Sequence, residues 1–196
     1  MKKTLLWQVP LASLIYLVLL MACSATGLIH PFCYAYVGTV FPLFFSFIYF
    51  FVSSRWKCFG AALTLNSILL VILIAFGEGG SSLIIGLIVL ALISEAVRFL
   101  LGYTNKKGII FSFIPLAYSF YAYSIHWWTN TAESLEEAVE EMRAGYDVQM
   151  AQVIQNYPLL FVMLILVIPV AVLSIILVQK IMKKSAEKLE ENYGNL

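Results

Sequence analysis

Six apolar blocks, each about long enough to cross a membrane, dominate this sequence. A membrane-spanning α-helix needs about 20 apolar residues. No block shows the alternation of a strand, so helices are the only spanning structure available. Of the 196 residues, 62% are hydrophobic and 12% are charged, whereas a soluble domain has about a quarter charged. We therefore predict one all-α integral membrane domain, residues 1–196, folded as a six-transmembrane-helix bundle. The predicted spans are residues 7–28, 34–53, 58–77, 82–101, 108–128 and 157–181.

The basic residues indicate how the bundle is oriented. Of the 12 Lys and Arg residues, all except Arg143 fall on one side of the predicted bundle. They lie near the amino terminus, between the second and third spans, around the end of the fourth, and after the sixth. Cytoplasmic loops of membrane proteins are enriched in Lys and Arg. We therefore predict a multi-pass protein of the cell membrane with both termini in the cytoplasm.

The amino-terminal segment has a second interpretation. Lys2 and Lys3, an apolar run and then the segment Leu20-Met-Ala-Cys23 have the form of a secretory signal, or even of a lipoprotein signal. Cleavage before Cys23 would leave five spans. The uncleaved six-span form is the preferred interpretation, although the charge distribution suits both forms.

The segment of residues 129–156 is the long polar loop between the fifth and sixth spans, and the orientation makes it external. It is rich in acidic residues. Ser134-Leu-Glu-Glu137 fits a capping box, and the apolar residues that follow recur at helical spacing opposite glutamates. A second helix is expected to begin near Asp147. This amphipathic pair is either a solvated surface element or a lid over a pocket.

Polar and aromatic residues converge on the predicted external mouth of the bundle. Ligand sites combine apolar and aromatic walls with a few convergent polar groups. For any single aromatic residue, the belt at the membrane interface is a sufficient explanation. The combination of His, Glu, Asn and Tyr from three loops favours a ligand site. The candidate ligand-binding residues are His30, Tyr34, Glu78, Tyr121, His126, Trp127, Trp128 and Asn130.

Small residues and a pair of charges form a second group of candidates. Ala12 and Ser13 in the first span, and the segment Ser82-xxx-Gly86 in the fourth, allow close approach of helices in lipid. The approaching helix belongs either to the same bundle or to another membrane protein. Glu95 and Arg98 share one face of the fourth span. Intramembrane charges are functional candidates, and here a structural or partner-docking role is favoured over contact with substrate.

No catalytic or metal site is predicted. The sequence has none of the patterns GxxxxGK[ST], HExxH or GxSxG, and no pair of carboxylates in mid-membrane. Cys23, Cys33 and Cys58 show no CxxC pair and no spacing of metal ligands. We expect a protein that is not an enzyme and has no cofactor. A role driven by ATP would need partner subunits that bind the nucleotide.

Several segments, together with six short spans and a length under 200 residues, are typical of one family of transporter subunits. The segments are Gly77-Glu-Gly-Gly80, Ser94-Glu-Ala-Val-Arg98, Pro115, Trp127-Trp128, and the run from Tyr157-Pro-Leu to Lys180-Ile-Met-Lys-Lys184. With them the chain resembles the substrate-binding S components of energy-coupling factor (ECF) transporters. It is most similar to the Trep_Strep group of these proteins, also called the MptD family.

This resemblance implies the substrate-binding subunit of an ABC-type importer that captures a small organic micronutrient from outside. Its partners would be a transmembrane T component and two ABC-type ATPases, with membrane lipid around it and no nucleic acid. The ligand would lie beneath the external loops, near His30, Glu78, Trp127 and Asn130. An acidic loop disfavours strongly anionic ligands, and two external histidines suit a tetrapyrrole or a metal chelate. The alternative is a membrane enzyme, or an accessory or assembly protein of the cell envelope without a transport role.

Overall fold

The chain is all-helical over the residues that its structure describes. The computed structural model describes residues 3–77 and 80–193, with side chains over 7–77 and 80–185, and within these ranges it contains no β-strand. Two short 3-10 turns, Ala25–Leu28 and Val37–Thr39, accompany the α-helices. The helices are α1 (Lys3–Ser24), α2 (Pro31–Tyr36), α3 (Pro42–Arg55), α4 (Ala61–Ala75), α5 (Ser81–Leu101), α6 (Lys106–Leu116), α7 (Ser119–Ser124), α8 (His126–Thr129), α9 (Thr131–Glu141), α10 (Tyr146–Gln155) and α11 (Tyr157–Tyr193).

Three stretches of the described chain are long and apolar enough to cross a membrane as single helices. They are Trp7–Leu28, Ser81–Leu101 and Tyr157–Ser185. A fourth crossing is available if Pro31–Thr39 and Pro42–Arg55, which meet at an angle of 41°, act as one span. These lengths and compositions indicate a multi-pass membrane protein.

Two of the predicted spans are shorter or interrupted in the structure. The third is α4, whose 15 residues extend roughly 22 Å at 1.5 Å per residue. The fifth is divided into α6, α7 and α8. Pro115 lies in the last turn of α6, where it supplies no backbone N–H. The Ser119 hydroxyl donates to the carbonyl oxygen of Leu116 at 2.7 Å, which satisfies one acceptor at the end of that helix.

Aromatic rings fill the centre of the bundle. Tyr16 of α1 stacks on Phe45 of α3 with ring centroids 4.2 Å apart. Phe113 of α6 lies 5.8 Å from Phe45 and 5.4 Å from Tyr49, measured between ring centroids. All four side chains are buried. Because lipid tails are as apolar as the side chains, close packing of this kind holds helices together in a membrane.

Hydrogen bonds between helices accompany this packing. The Tyr49 hydroxyl lies 2.6 Å from the hydroxyl of Ser112 in α6. Asn66 of α4 donates through Nδ2 to the carbonyl oxygen of Leu87 in α5 at 2.9 Å. Interhelical hydrogen bonds in membranes contribute about 0.6 kcal/mol each on average. These hydrogen bonds therefore fix the orientation of the helices relative to one another more than they stabilise the bundle.

Close approach of α5 and α7 depends on a small residue. A Cβ atom placed on Gly86 would lie 2.9 Å from the Cβ of Ala122. That separation is shorter than van der Waals contact, so only glycine allows α7 to lie this near to α5. The sequence-based prediction that Gly86 supports close helix packing is confirmed, and its neighbour belongs to the same chain.

Helices α9 and α10 pack together at one end of the bundle, which we call the α9–α10 end. The Arg143 guanidinium between them donates to the carbonyl oxygen of Ile29 at 3.2 Å. Tyr146, the first residue of α10, is buried, and burial raises the pKa of its hydroxyl.

The predicted capping box is wrong, because α9 begins at Thr131, before Ser134. The Ser134 hydroxyl instead donates to the carbonyl oxygen of His126 at 3.4 Å.

Candidate ligand-binding site

A polar cavity of about 500 Å3 lies at the α9–α10 end, between the start of α5 and helices α8 and α9. Hydroxyl, carboxylate, amide and imidazole groups form most of its wall. Pockets that hold small organic molecules have volumes of about 300–1,000 Å3, so this cavity is large enough for one. The polar side chains in the wall belong to Ser81, Ser82, Tyr123, His126, Asn130, Glu133, Ser134 and Glu137.

The imidazole of His126 is held by the chain just before it. Its Nδ1 atom lies 3.0 Å from the carbonyl oxygen of Tyr123. A carbonyl oxygen only accepts hydrogen bonds, so Nδ1 carries the proton in this contact. In the neutral imidazole the other ring nitrogen, Nε2, is then a hydrogen-bond acceptor.

Two carboxylates of α9 make the cavity electronegative. Glu133 and Glu137 are four residues apart and therefore lie on one face of the helix. Asn130 occupies the N-cap position of α9, and its side-chain amide donates to the carboxylate of Glu133. The carboxylate of Glu133, in the first turn of α9, is stabilised by the positive end of the helix dipole. The wall therefore favours a cationic or neutral ligand that presents hydrogen-bond donors.

His30 lies at the same end of the bundle but lines a different cavity. That cavity, of about 420 Å3, is formed by α2, α10 and the start of α11, and its wall includes Tyr36, Gln149 and Asn156. The backbone N–H of Phe32 donates to Nδ1 of His30 at 3.1 Å, which caps α2. His30 thus carries its proton on Nε2 when neutral, the opposite tautomer to His126. The structure does not bring the two histidines together.

The candidate aromatic residues are part of the packed interior. Tyr34 and Trp127 are both buried, and their ring centroids are 4.5 Å apart. The Tyr121 hydroxyl lies 2.7 Å from that of Thr39 and its ring covers Gly38, where a Cβ would be 2.8 Å away.

The two remaining candidates differ in position. Trp128 is half-buried, with its ring centroid 6.4 Å from that of Trp127. Glu78 lies outside the described residues. Of the eight predicted ligand-binding residues, the structure therefore brings His126 and Asn130 to the wall of the polar cavity.

The two charges of α5 are buried, and each caps a neighbouring helix. The Glu95 carboxylate accepts a hydrogen bond of 2.6 Å from the backbone N–H of Ala62 at the start of α4. The Arg98 guanidinium donates to the carbonyl oxygens of Ser53, Trp56 and Tyr103 at 3.0–3.3 Å. An anion at a helix start and a cation at a helix end both complement the helix dipole. This arrangement matches the structural role considered for the pair.

Ala12 and Ser13 also lie within the bundle. Ala12 is 4% exposed and Ser13 is fully buried, with its hydroxyl 3.5 Å from the carbonyl oxygen of Leu65 in α4. Glu95 and Arg98 are likewise inaccessible. A surface for partner docking in this structure would therefore be built from residues other than these four.

Comparison with known families assigns the chain to a class. A family model described as "Hypothetical bacterial integral membrane protein (Trep_Strep)" matches residues 6–188, which is almost the full length. The chain belongs to this family. No curated protein and no solved structure matches it. As a Trep_Strep protein it is a bacterial integral membrane protein, in agreement with its several long apolar helices.

The polar cavity of the Trep_Strep protein also includes residues that the sequence analysis did not select. In the sequence, Glu133 and Glu137 belong to the acidic side of an amphipathic helix, which is either a solvated element or a lid, and Ser82 belongs to a helix-packing motif. The usable signal was the spacing of these two glutamates immediately after Asn130. Residues four apart lie on one face of a helix, so this spacing places both carboxylates on the same side of α9, close in sequence to Asn130.

Proposed function

We propose that this Trep_Strep protein is the substrate-binding membrane subunit of an ECF-type importer and captures a small organic micronutrient. The observation that carries the proposal is the polar cavity of about 500 Å3 lined by His126, Asn130, Glu133 and Glu137. Its volume suits a vitamin-sized molecule. The protein binds this molecule and does not convert it.

The charges of the cavity specify the kind of molecule. Two carboxylates oppose the entry of an anion, whereas amide, hydroxyl and imidazole groups offer both donors and acceptors. The ligand is a neutral or cationic organic molecule with several polar groups. It is smaller than the lipids around the bundle, because the cavity lies between short loops and helix ends.

The proposed topology has six membrane passages, counting the bent pair α2–α3, the short helix α4 and the broken segment α6–α8. Both termini are cytoplasmic, and α9 and α10 are external. Lysine side chains at the end of the bundle opposite α9 and α10 support this orientation. A transmembrane T component and two ABC-type ATPases would supply the ATP hydrolysis that drives release of the ligand into the cell.

Ligand capture is tested by analysing what the protein retains from bacterial membranes. The full chain is purified in mild detergent, and native mass spectrometry identifies bound small molecules. We expect one predominant small molecule in the wild type. In the variant Glu133→Gln/Glu137→Gln we expect about tenfold or greater loss, because hydrogen bonds to charged groups contribute about 1.5–3 kcal/mol each.

The matched control is Glu136→Gln/Glu140→Gln. It makes the same change of charge on α9, but its side chains line a different surface groove between α9 and α10. The control should retain the ligand at the wild-type level. Equal loss in both variants, or a wild type that retains no small molecule and is not stabilised by a panel of vitamins, would contradict the proposal.

A further inference from the structure

A basic groove lies at the opposite end of the bundle from the polar cavity. It has a volume of about 370 Å3 and runs between α3, the start of α6 and α11. Lys57, Lys106 and Lys183 all line it, and no carboxylate is among its described lining residues. Lys57 and Lys106, on two different elements, produce a positive potential in a small volume. The groove therefore favours an anion.

The same groove has an apolar side. Phe50 of α3, Ile109 of α6 and Met182 of α11 line it together with the lysines. Phe50 precedes Lys57 by seven residues, about two helical turns if the helix continued, so the apolar wall extends toward the middle of that span. Both α3 and α11 belong to stretches that are apolar enough to cross a membrane. A ligand that fills the whole groove thus has an anionic part and a hydrocarbon part.

Two hydrogen-bond donors in the groove wall have no partner among the protein atoms. They are the hydroxyl of Tyr103 and the side-chain amide of Gln179. A buried donor left unpaired is unfavourable by about 1–3 kcal/mol. Acceptor oxygens held in the groove would relieve that cost after a small side-chain rotation.

Two buried residues of opposite charge, Glu95 and Arg98, lie behind the wall of the groove. The Arg98 guanidinium carbon lies 5.3 Å from the centre of the Tyr103 ring, and Nη2 of Arg98 donates to the Tyr103 carbonyl oxygen. Because Arg98 is fully buried, water screens this charge only weakly. The Glu95 carboxylate, one helical turn away, is buried as well and offsets this charge. The positive potential of the groove therefore comes from its lysines.

We propose that this groove binds the phosphate of an anionic phospholipid from the surrounding bilayer, with an acyl chain against Phe50 and Met182. The phosphodiester oxygens accept from the lysine ammonium groups, which contribute about 1 kcal/mol each near a membrane surface. A zwitterionic headgroup fits less well, because its cationic part finds no lining carboxylate among the described residues. By contacting α3, α6 and α11 together, the bound lipid stabilises the bundle. This inference is independent of the importer proposal and of which membrane face the groove occupies.

The test measures lipid retention by the full chain in detergent. Phosphatidylglycerol and phosphatidylcholine with identical acyl chains are added, and native mass spectrometry measures the bound fraction of each. We expect the wild type to prefer phosphatidylglycerol at least about tenfold. For Lys57→Gln/Lys106→Gln we expect about a thirtyfold loss of affinity for phosphatidylglycerol, from two lysines at the surface contribution given above.

The charge-matched control is Lys180→Gln/Lys184→Gln, on the same end of α11 but outside the groove lining. It should keep the preference for phosphatidylglycerol. Lys57→Arg/Lys106→Arg, which preserves charge, should also keep it, and the melting temperature of each variant establishes that it is folded. Equal loss in the two glutamine variants, or loss in a folded arginine variant, would overturn the inference.

A further arm distinguishes a lipid from a free anion. Inorganic phosphate and glycerol 3-phosphate are added at millimolar concentration, without lipid and in competition with phosphatidylglycerol. We expect neither to displace the lipid nor to raise the melting temperature, because neither contacts the apolar side of the groove. If inorganic phosphate alone reproduced the full stabilisation, or if the two phospholipids bound equally, the assignment to an anionic lipid would be wrong.

Discussion

At the scale of single residues, Glu95 and Arg98 show how a membrane bundle can hold buried charges. Both side chains are fully inaccessible, and an isolated charge in such a place is strongly unfavourable. Each instead bonds through one side-chain atom, Oε1 of Glu95 or Nη2 of Arg98, to backbone groups at a helix terminus, where the helix has unpaired donors or acceptors. One turn of α5 thus connects the start of α4, the end of α3 and the loop after α5.

The first prediction concerns Arg98. Arg98→Gln removes the cation and most of its donors, and it leaves three carbonyl oxygens with fewer partners. We expect it to lower the free energy of unfolding by about 3 kcal/mol, measured by SDS titration in mixed micelles. Arg55→Gln is the control, because Arg55 is exposed and bonds to Phe51 within its own helix. That change should lower the free energy of unfolding by less than about 1 kcal/mol. Equal effects of the two changes would show that Arg98 does not stabilise the helix ends.

At the scale of helices, the fifth predicted span shows that hydropathy alone does not predict whether an apolar segment forms one continuous helix. Residues 108–128 are apolar enough to suggest one continuous helix, yet the chain forms α6, α7 and α8. A proline near the end of α6 and serine hydroxyls that bond to nearby carbonyls supply the breaks. The breaks are useful, because they allow α7 to pack on α5 and bring His126 to the polar cavity.

The second prediction tests the packing of α5 against α7. In Gly86→Ala the new methyl group would lie 2.9 Å from the Cβ of Ala122, so the two helices must separate. We expect destabilisation by about 1–3 kcal/mol, measured as a lower melting temperature in detergent. Gly80→Ala is the control, since a Cβ there meets no atom within 4 Å and its φ of −57° suits alanine. A Gly86→Ala protein as stable as the control would contradict this account of the α5–α7 contact.

At the scale of the whole molecule, the two ends of the bundle have opposite chemical character. Glu133 and Glu137 line a cavity at one end, whereas Lys57, Lys106 and Lys183 line a groove at the other. Such an asymmetry of charge orients a membrane protein. In the two proposals made above, it also places the ligand and the lipid at opposite ends of the bundle. The importer proposal requires the acidic end to face outward.

The third prediction tests that orientation by cysteine labelling in intact cells. Native Cys58 is exposed near the basic end, and Glu140→Cys adds a thiol on α9 at the other. Each is examined alone, with Cys33 replaced by alanine and buried Cys23 retained. A membrane-impermeant maleimide should label residue 140 in intact cells and Cys58 only after permeabilisation. Labelling of residue 140 only in permeabilised cells would contradict the proposed topology and the capture of ligand from outside.

The amino-acid sequence by itself determined the class of this protein and the opposite charges of the two ends of its bundle. Apolar blocks of span length leave only a helical membrane protein, and this is a local property that needs no knowledge of contacts. The family match and the long apolar helices agree with it. The sequence also placed His126 and Asn130 near a mouth of the bundle, because loop position follows directly from the order of spans.

Only the tertiary structure decided which side chains share a cavity. The sequence predicts both His30 and His126 at the same end of the bundle. In the structure they line different cavities, because α10 packs against α2 while α9 packs against α8. Glu133 and Glu137 lie in the cavity wall for the same reason. Contacts between segments distant in the chain depend on how helices pack, and hydropathy along one sequence does not encode which helix faces turn toward each other.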